Sequence, residues 1–252
     1  MAPVIAIDGP AASGKSTTAA AVARALGEGW AHLDSGALYR ALTLAALDNI
    51  REGGKGKEEG WEAQKIINLG QTLPVQLVLA KGEFIPTVAG VDVEEAIRSE
   101  RVTRHVSALA ALPEVRTWIN AQQRRAVQAH PAGVVVDGRD IGTVVFPDAP
   151  LKVFLTAHPD ERARRRISQR EGRGGGEEPG GQGGGGRGGA PPDEATLRRE
   201  SEALVARDAA DASRPVAPLR PAADAVQLDT THLSFEAQVA QIVALARERL
   251  PG

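Results

Sequence analysis

The 252-residue chain contains no cysteine, which excludes disulfides and thiolate metal sites and is compatible with a reducing compartment. Aromatic residues are scarce, at 3%, so few side chains can stack on the bases of a single-stranded nucleic acid. Neither sign of charge dominates: 30 Lys and Arg stand against 32 Asp and Glu, for a net charge of −2. That balance argues against capture by nucleic acid or by a membrane surface. No apolar run is long enough to cross a bilayer. The opening MAPVIAIDGP lacks the basic start and long apolar segment of a signal peptide. The expectation is a cytoplasmic monomer that takes small-molecule substrates, with no nucleic acid or membrane as partner. The five histidines are scattered and are expected on the surface or in packing. No His or Cys arrangement suggests a nucleophilic triad.

What is present is the 42% hydrophobic and 25% charged content of an ordinary globular protein. Strands are expected at Pro3–Ile7, Trp30–Leu33, Val134–Val136, Leu151–Thr156 and Ala225–Leu228. Helices are expected at Ser16–Leu26, Ala37–Asn49, from Asp160, from about Asp193, and at Ser234–Leu250. This alternation implies an α/β fold, with a parallel sheet covered by helices on both faces. Between residues 73 and 91 the rhythm changes to two strands, Leu73–Leu79 and Glu83–Val91, joined by a short turn and therefore antiparallel. Two helical stretches follow, Val93–Ala111 and Pro113–His130, separated by a proline suited to a helix start. This region reads as an inserted subdomain. Glu52–Gly60 reads as a charged, glycine-rich loop. Residues 172–189 are two-thirds glycine, cannot bury apolar area against the entropy of ordering, and read as a flexible loop.

The first chemical motif is Gly9-Pro10-Ala11-Ala12-Ser13-Gly14-Lys15-Ser16, followed by Thr17. It fits G-x-x-x-x-G-K-[ST] after a strand and at the start of a helix, the context a phosphate-binding loop requires. Glycines let the backbone wrap phosphate oxygens, and the helix N-terminus adds its positive dipole end. Lys15 brings a cation to the outer phosphates, and the Ser16 hydroxyl can ligate Mg²⁺. A nucleotide switch would need Asp-x-x-Gly and Asn-Lys-x-Asp patterns, and neither occurs. An RNA-binding reading rests on Arg173-Gly-Gly and Arg187-Gly-Gly alone, with Glu177 and Glu178 between them, and a glycine linker explains those better. A kinase for a small acceptor remains. If the acceptor carries a phosphate, extra cations are needed, and Arg40, Arg139, Arg207, Arg214 and the Arg162–Arg166 cluster are candidates.

The second motif is Val134-Val-Val-Asp-Gly-Arg-Asp140, a core strand ending in three charged side chains. Ligands of open α/β sheets bind beyond the carboxyl ends of strands. There Gly138 would let the chain turn and Arg139 would hold an acceptor phosphate. Asp140 would accept from an exocyclic amino group such as cytosine N4. Asp137 is placed to orient Mg²⁺ through water.

Five stretches together resemble the bacterial cytidylate kinases, a family of P-loop nucleoside monophosphate kinases. They are Asp8–Ser16, Leu33-Asp-Ser-Gly-Ala-Leu-Tyr-Arg40, Ser107–Arg116, Val136–Ala149 and the run RDAADASRPVAPL from Arg207 to Leu219. The resemblance runs from about residue 3 to about residue 249, in the family's order. It implies phosphoryl transfer from ATP to CMP or dCMP with Mg²⁺. It implies a three-layer fold around a five-stranded parallel sheet, formed by residues 1–50 and 131–252. It also implies a CMP-binding insert at 60–130 and a mobile lid at 160–206. Within it, Ser107 and Arg116 would face the pyrimidine, and Arg139 and Asp140 would meet the phosphate and cytosine. Asp211 would hold sugar hydroxyls with Ser35 and Arg207 nearby. Arg40 and Arg214 would support the phosphate, and Arg162 and Arg166 would open the lid and reach the transferring phosphoryl. The chain departs from the family in its long glycine-rich span and in Ala210, where relatives often carry a charged residue.

Overall fold

The computed structural model describes residues 2–50, 61–174 and 193–250, with backbone alone at 171–174. The expected loop at Glu52–Gly60 and the span 175–189 of the expected glycine-rich loop lie outside the described residues. Residues 172–174, expected to belong to that loop, instead continue a helix.

The chain runs β1 (Val4–Asp8), α1 (Lys15–Leu26), β2 (Ala31–Asp34), α2 (Ser35–Asn49) and α3 (Ala63–Thr72). Next come β3 (Val75–Ala80), β4 (Glu83–Val88), β5 (Val91–Asp92), α4 (Glu100–Ala110) and α5 (Pro113–Gln128). The last part is β6 (Val134–Gly138), β7 (Leu151–Thr156), α6 (Pro159–Gly174), α7 (Glu194–Ala212), β8 (Val226–Asp229) and α8 (Phe235–Arg249). The strand order is β3-β4-β2-β6-β1-β7-β8, with β5 on β4. The stretch β2-β6-β1-β7-β8 is parallel throughout. In the central strands β1, β6 and β7, β-branched and aliphatic residues buried on both faces make near-continuous apolar runs, as a covered parallel sheet requires.

The insert does not form a sheet of its own. Its hairpin pairs Val75↔Val88 through Ala80↔Glu83 antiparallel, as expected, and β4 then joins β2 in parallel at His32↔Glu83. The hairpin thus extends the central sheet. Its core is shared too: Leu38 and Leu42 of α2 are fully buried with Ile66, Val75, Ile97, Leu109 and Ile119. Each such leucine contributes about 1.5–3 kcal/mol through burial, which ties the insert to the main domain. Ile5, Ile7, Val135 and Leu155 pack against α1 and α8 on one face of the sheet. Ala6, Leu33, Val134 and Val136 pack on the other face with Ile141 and Val127.

Two local features differ from the sequence reading. The helix expected over residues 93–111 is broken: a 3₁₀ turn, Ala96–Arg98, precedes α4, and Ser99 caps the new helix by accepting from Val102 N. A serine with an extended backbone offers the first-turn amides a better acceptor than solvent and so favours the break. Helix α3 was not expected. Its Ile66 and Gly70 are buried, and Gly70 lies against Leu42 and Trp118.

Candidate active site

The parallel register aligns one end of the sheet. Asp8 pairs with Gly138 and Phe154, and Asp34 pairs with Asp137, so three carboxylates stand at neighbouring strand ends. They are put to different uses. Asp8 accepts from Ile141 N at 2.8 Å and Gly142 N at 2.7 Å, pinning the single π-helical turn Ile141–Val145 that follows β6. Burial pushes its carboxyl up to about 6 against the pull of those two amides. Asp34 caps α2 by accepting from Gly36 N at 2.8 Å and also receives Arg98 at 3.3 Å. Burial and the charge of Asp137 raise its pKa. Asp137 accepts from Ser16 Oγ and from His32 Nε2, each at 2.7 Å.

The Gly9–Ser16 loop connects β1 to α1. Gly9 has φ +152°, and a Cβ there would lie 2.1 Å from the Leu155 carbonyl oxygen, so only glycine fits. Ala12 at φ 58° and Gly14 at φ 87° adopt left-handed conformations, the backbone form that turns successive amides into an anion-binding concavity. Lys15 donates to Pro10 O at 2.6 Å and to Ser13 Oγ at 3.4 Å, folding back over the loop. Its burial, aided by Arg139, lowers its pKa to about 7. An anion in the loop would offset both effects.

At the end of β6, Gly138 does not serve a left-handed turn. It permits close approach, since a Cβ would sit 2.4 Å from Ser35 Oγ. Arg139 then donates to Asp211 Oδ2 at 2.6 Å and to Gly9 O at 3.1 Å. Asp140 turns to the other side and pairs with Arg116 of α5, both buried. The Arg116 guanidinium also donates to Ala110 O at 3.2 Å and stands 5.6 Å over the Tyr39 ring.

A cleft of about 970 Å³ unites these parts. It is lined by Ala11, Ala12, Gly14, Lys15, Ser16 and Thr17 of the loop, and by Ser35, Arg40, Ser107, Arg116, Asp137, Arg139 and Asp140. Arg166, Arg207 and Arg214 close the far side. Arg40 donates to Ile97 O at 3.2 Å and Thr103 Oγ1 at 3.0 Å, while Arg166 pairs with Glu200 at 2.8 Å. Arg207 has its Nε buried without a hydrogen-bond partner, and burial next to Arg139 lowers its pKa to about 10. An unpartnered guanidinium nitrogen among like charges is a position built for an anion.

Five expected residues do not line the cleft. Gly9, Pro10 and Ser13 act through the carbonyls and hydroxyl already named. Asp211, expected at sugar hydroxyls, is buried with its oxygens held by Arg139 and Arg214. Arg162, expected to reach the reacting phosphoryl, is buried; it donates to Ala157 O and Ala11 O at 3.0 Å each and to Asp208 Oδ2 at 2.5 Å. It braces the phosphate loop from behind. Ala210 is exposed on α7. Sequence reasoning gave no role to Tyr39, Arg98 or Phe235, and named Arg165 only as part of the Arg162–Arg166 cluster; all four line the cleft. It also assigned none to Asp8, His32 or Asp208.

A phosphate-binding loop at the sheet's carboxyl edge, facing a second group of arginines across one cleft, defines a P-loop kinase. The comparisons narrow this. The sequence profile described as cytidylate kinase matches residues 5–178 and 193–248, and the chain belongs to that family. It is 45% identical over 98% of its length to the cytidylate kinase of Stutzerimonas stutzeri, covering 96% of that protein. It is 41% identical over 96% of its length to that of Streptomyces griseus, covering 91% of it. To that of Pectobacterium atrosepticum it is 40% identical over 99% of its length, covering 98% of it.

Proposed function

We propose that the protein transfers the γ-phosphoryl group of ATP to CMP and dCMP, giving ADP and the cytidine diphosphates. The observation that carries this reading is the buried Arg116–Asp140 pair, which faces the same cleft as the phosphate loop. Cytosine presents a donor at N4 beside acceptors at N3 and O2. A carboxylate only accepts and a guanidinium only donates, so Asp140 and Arg116 complement that edge, with Ser107 beside them. Uracil places an acceptor where Asp140 needs a donor.

The acceptor phosphate is then held by Arg139, Arg207 and Arg214, with Arg40 behind. Its oxygen is ionised near neutral pH, since the second phosphate pKa is about 6, so no general base is needed. That oxygen attacks the γ-phosphorus, the bond to the β-phosphate oxygen breaks, and ADP leaves. The protein's part is positioning and neutralisation of charge. Lys15 and the loop amides hold the donor phosphates, and Arg166 reaches the transferring group from α6. Ser16 Oγ and the Asp137 carboxylate form an all-oxygen pair that fits a hard cation, Asp137 through water. Mg²⁺ held there would neutralise the β and γ oxygens. We read residues 60–130 as the acceptor-binding insert and residues 160–206 as the lid.

The test is a coupled ATP-consumption assay across all nucleoside monophosphates, ribo and deoxy. CMP and dCMP should give the highest kcat/KM. Activity on AMP alone, or on shikimate, would overturn the reading.

A further inference from the structure

His32 was expected to be a packing or surface residue. It sits on β2, and its side chain shares a sheet face with Asp137: His32 pairs with Val135 and Asp34 with Asp137, so His32 and Asp137 are diagonal neighbours. Its Nε2 lies 2.7 Å from Asp137 Oδ1, and Ser16 Oγ lies 2.7 Å from Oδ2. A carboxylate only accepts, so Nε2 is the donor. His32 and Asp137 are 7% and 2% exposed, so water does little to fix the carboxylate. Among the described residues, the hydrogen bonds to this carboxylate come from His32 and Ser16.

The strand register creates the need for such a restraint. Asp34 and Asp137 are directly paired across β2 and β6, and like charges so placed repel. Arg98 and Gly36 N draw Asp34 toward α2 and the insert. His32 holds one oxygen of Asp137, which leaves the second for Ser16 of the phosphate loop. If a cation takes the Ser16 oxygen, the Ser16 hydroxyl reorients, and His32 is the donor left to fix the carboxylate.

We propose that His32 is a positioning residue: it orients the Asp137 carboxylate toward Ser16 and so raises affinity for a magnesium-bound nucleotide over the free nucleotide. This rests on the reading of Ser16 and Asp137 as the magnesium position. The alternative is a pair that merely satisfies two buried polar groups.

ADP binding measured calorimetrically, with Mg²⁺ and with EDTA, separates the two. In the parent, Mg²⁺ should tighten ADP binding. In His32→Leu about tenfold or more of that gain should be lost, as is usual for a partner of a metal-orienting group, while affinity in EDTA stays within about twofold. His32→Gln carries an amide N–H at similar reach and should restore most of the gain. His32→Asn, polar but too short to reach Asp137, should behave as the leucine variant does and keeps the test intact if that variant does not fold. Equal weakening with and without Mg²⁺, or a gain in the loss variants equal to the parent's, overturns the role of His32. A parent in which Mg²⁺ gives no gain overturns the underlying metal assignment instead.

Discussion

Arg139 Nε donates to Asp211 Oδ2 at 2.6 Å and so joins the end of β6 to the last turn of α7. Arg214 holds the other oxygen of the same carboxylate. Arg139 also reaches Gly9 O at 3.1 Å, so one guanidinium is braced by both the phosphate loop and α7. The carboxylate balances two cations that would otherwise repel each other; under the proposed function their remaining N–H groups would serve the acceptor phosphate.

Asp211→Asn should therefore raise the KM for CMP about tenfold, equivalent to about 1.4 kcal/mol, with a smaller change in kcat. The rise should be the same for dCMP, because the arginines meet the phosphate that both substrates share. A loss confined to CMP would move Asp211 from the arginines to the 2′-hydroxyl.

Lys15→Ala should lower kcat at least about a hundredfold while circular dichroism remains that of the parent. In the proposed reaction the ammonium would meet charge that grows on the β–γ bridge as the bond breaks, so its loss would be felt more in the transition state than in binding. A folded variant with near-normal kcat would remove the loop from the mechanism.

The same lysine gives nucleotide binding a proton linkage. Its pKa is about 7 in the ligand-free protein, held there chiefly by burial. Phosphate oxygens beside it favour the charged form, so binding raises that pKa. Between pH 7 and the ordinary lysine value, binding ADP must then take up a proton. For folding the sign is the reverse of a salt bridge. The folded pKa lies below the unfolded one, so the unfolded chain binds more protons in that window and this group's contribution to stability rises with pH. Calorimetry at pH 8 in two buffers of different ionisation enthalpy should report proton uptake. Equal apparent enthalpies would rule it out.

Asp140→Ala should reduce kcat/KM for CMP far more than for UMP, since the carboxylate accepts from N4 and repels O4. The structure adds a second cost. Arg116 would be left buried without its partner, so some stability is lost as well. Asp140→Asn keeps a polar partner of the same shape, and should narrow the preference between CMP and UMP with less loss of stability. Parallel losses on both substrates in both variants would mean that Asp140 only supports Arg116.

Much of this site was legible because its parts are short and contiguous. The Gly9–Ser16 loop and the Asp137–Asp140 strand end each carry their chemistry within a few residues, and the strand alternation fixes which sheet edge they share. The partners were not legible. His32 meets Asp137 across 105 residues, and Arg98 meets Asp34 across 64. No local pattern marks either contact. The break before Glu100 was hidden because Ser99 sits in a helix-compatible run and acts only as a cap. Helix α3 follows a charged, glycine-rich stretch, and its Gly70 lowers helical propensity for the sake of close packing.

Arg162 and Arg166 mark the limit of reasoning from spacing. They are four apart, so on α6 they share a face, and both were expected to reach the phosphoryl. One turn of helix separates their environments. Arg162 is nearer the sheet, under the phosphate loop, with Ala11 O, Ala157 O and Asp208 occupying its donors. Arg166 lies at the cleft, partly exposed, and among the described residues pairs with Glu200. Breaking the buried pair strands Asp208, whose other oxygen accepts from Ala11 N at 3.2 Å. Arg162→Ala should thus cost about 3–5 kcal/mol in denaturant unfolding. Arg166→Ala should cost less, about 1 kcal/mol, because Glu200 keeps Arg170 as a partner at 2.7 Å. It should instead lower kcat with little change in the KM for CMP, the mark of a contact made only in the transition state. If Arg162→Ala unfolds like the parent and loses kcat alone, then Arg162 leaves its bracing contacts during turnover and belongs with Arg166 in the chemistry.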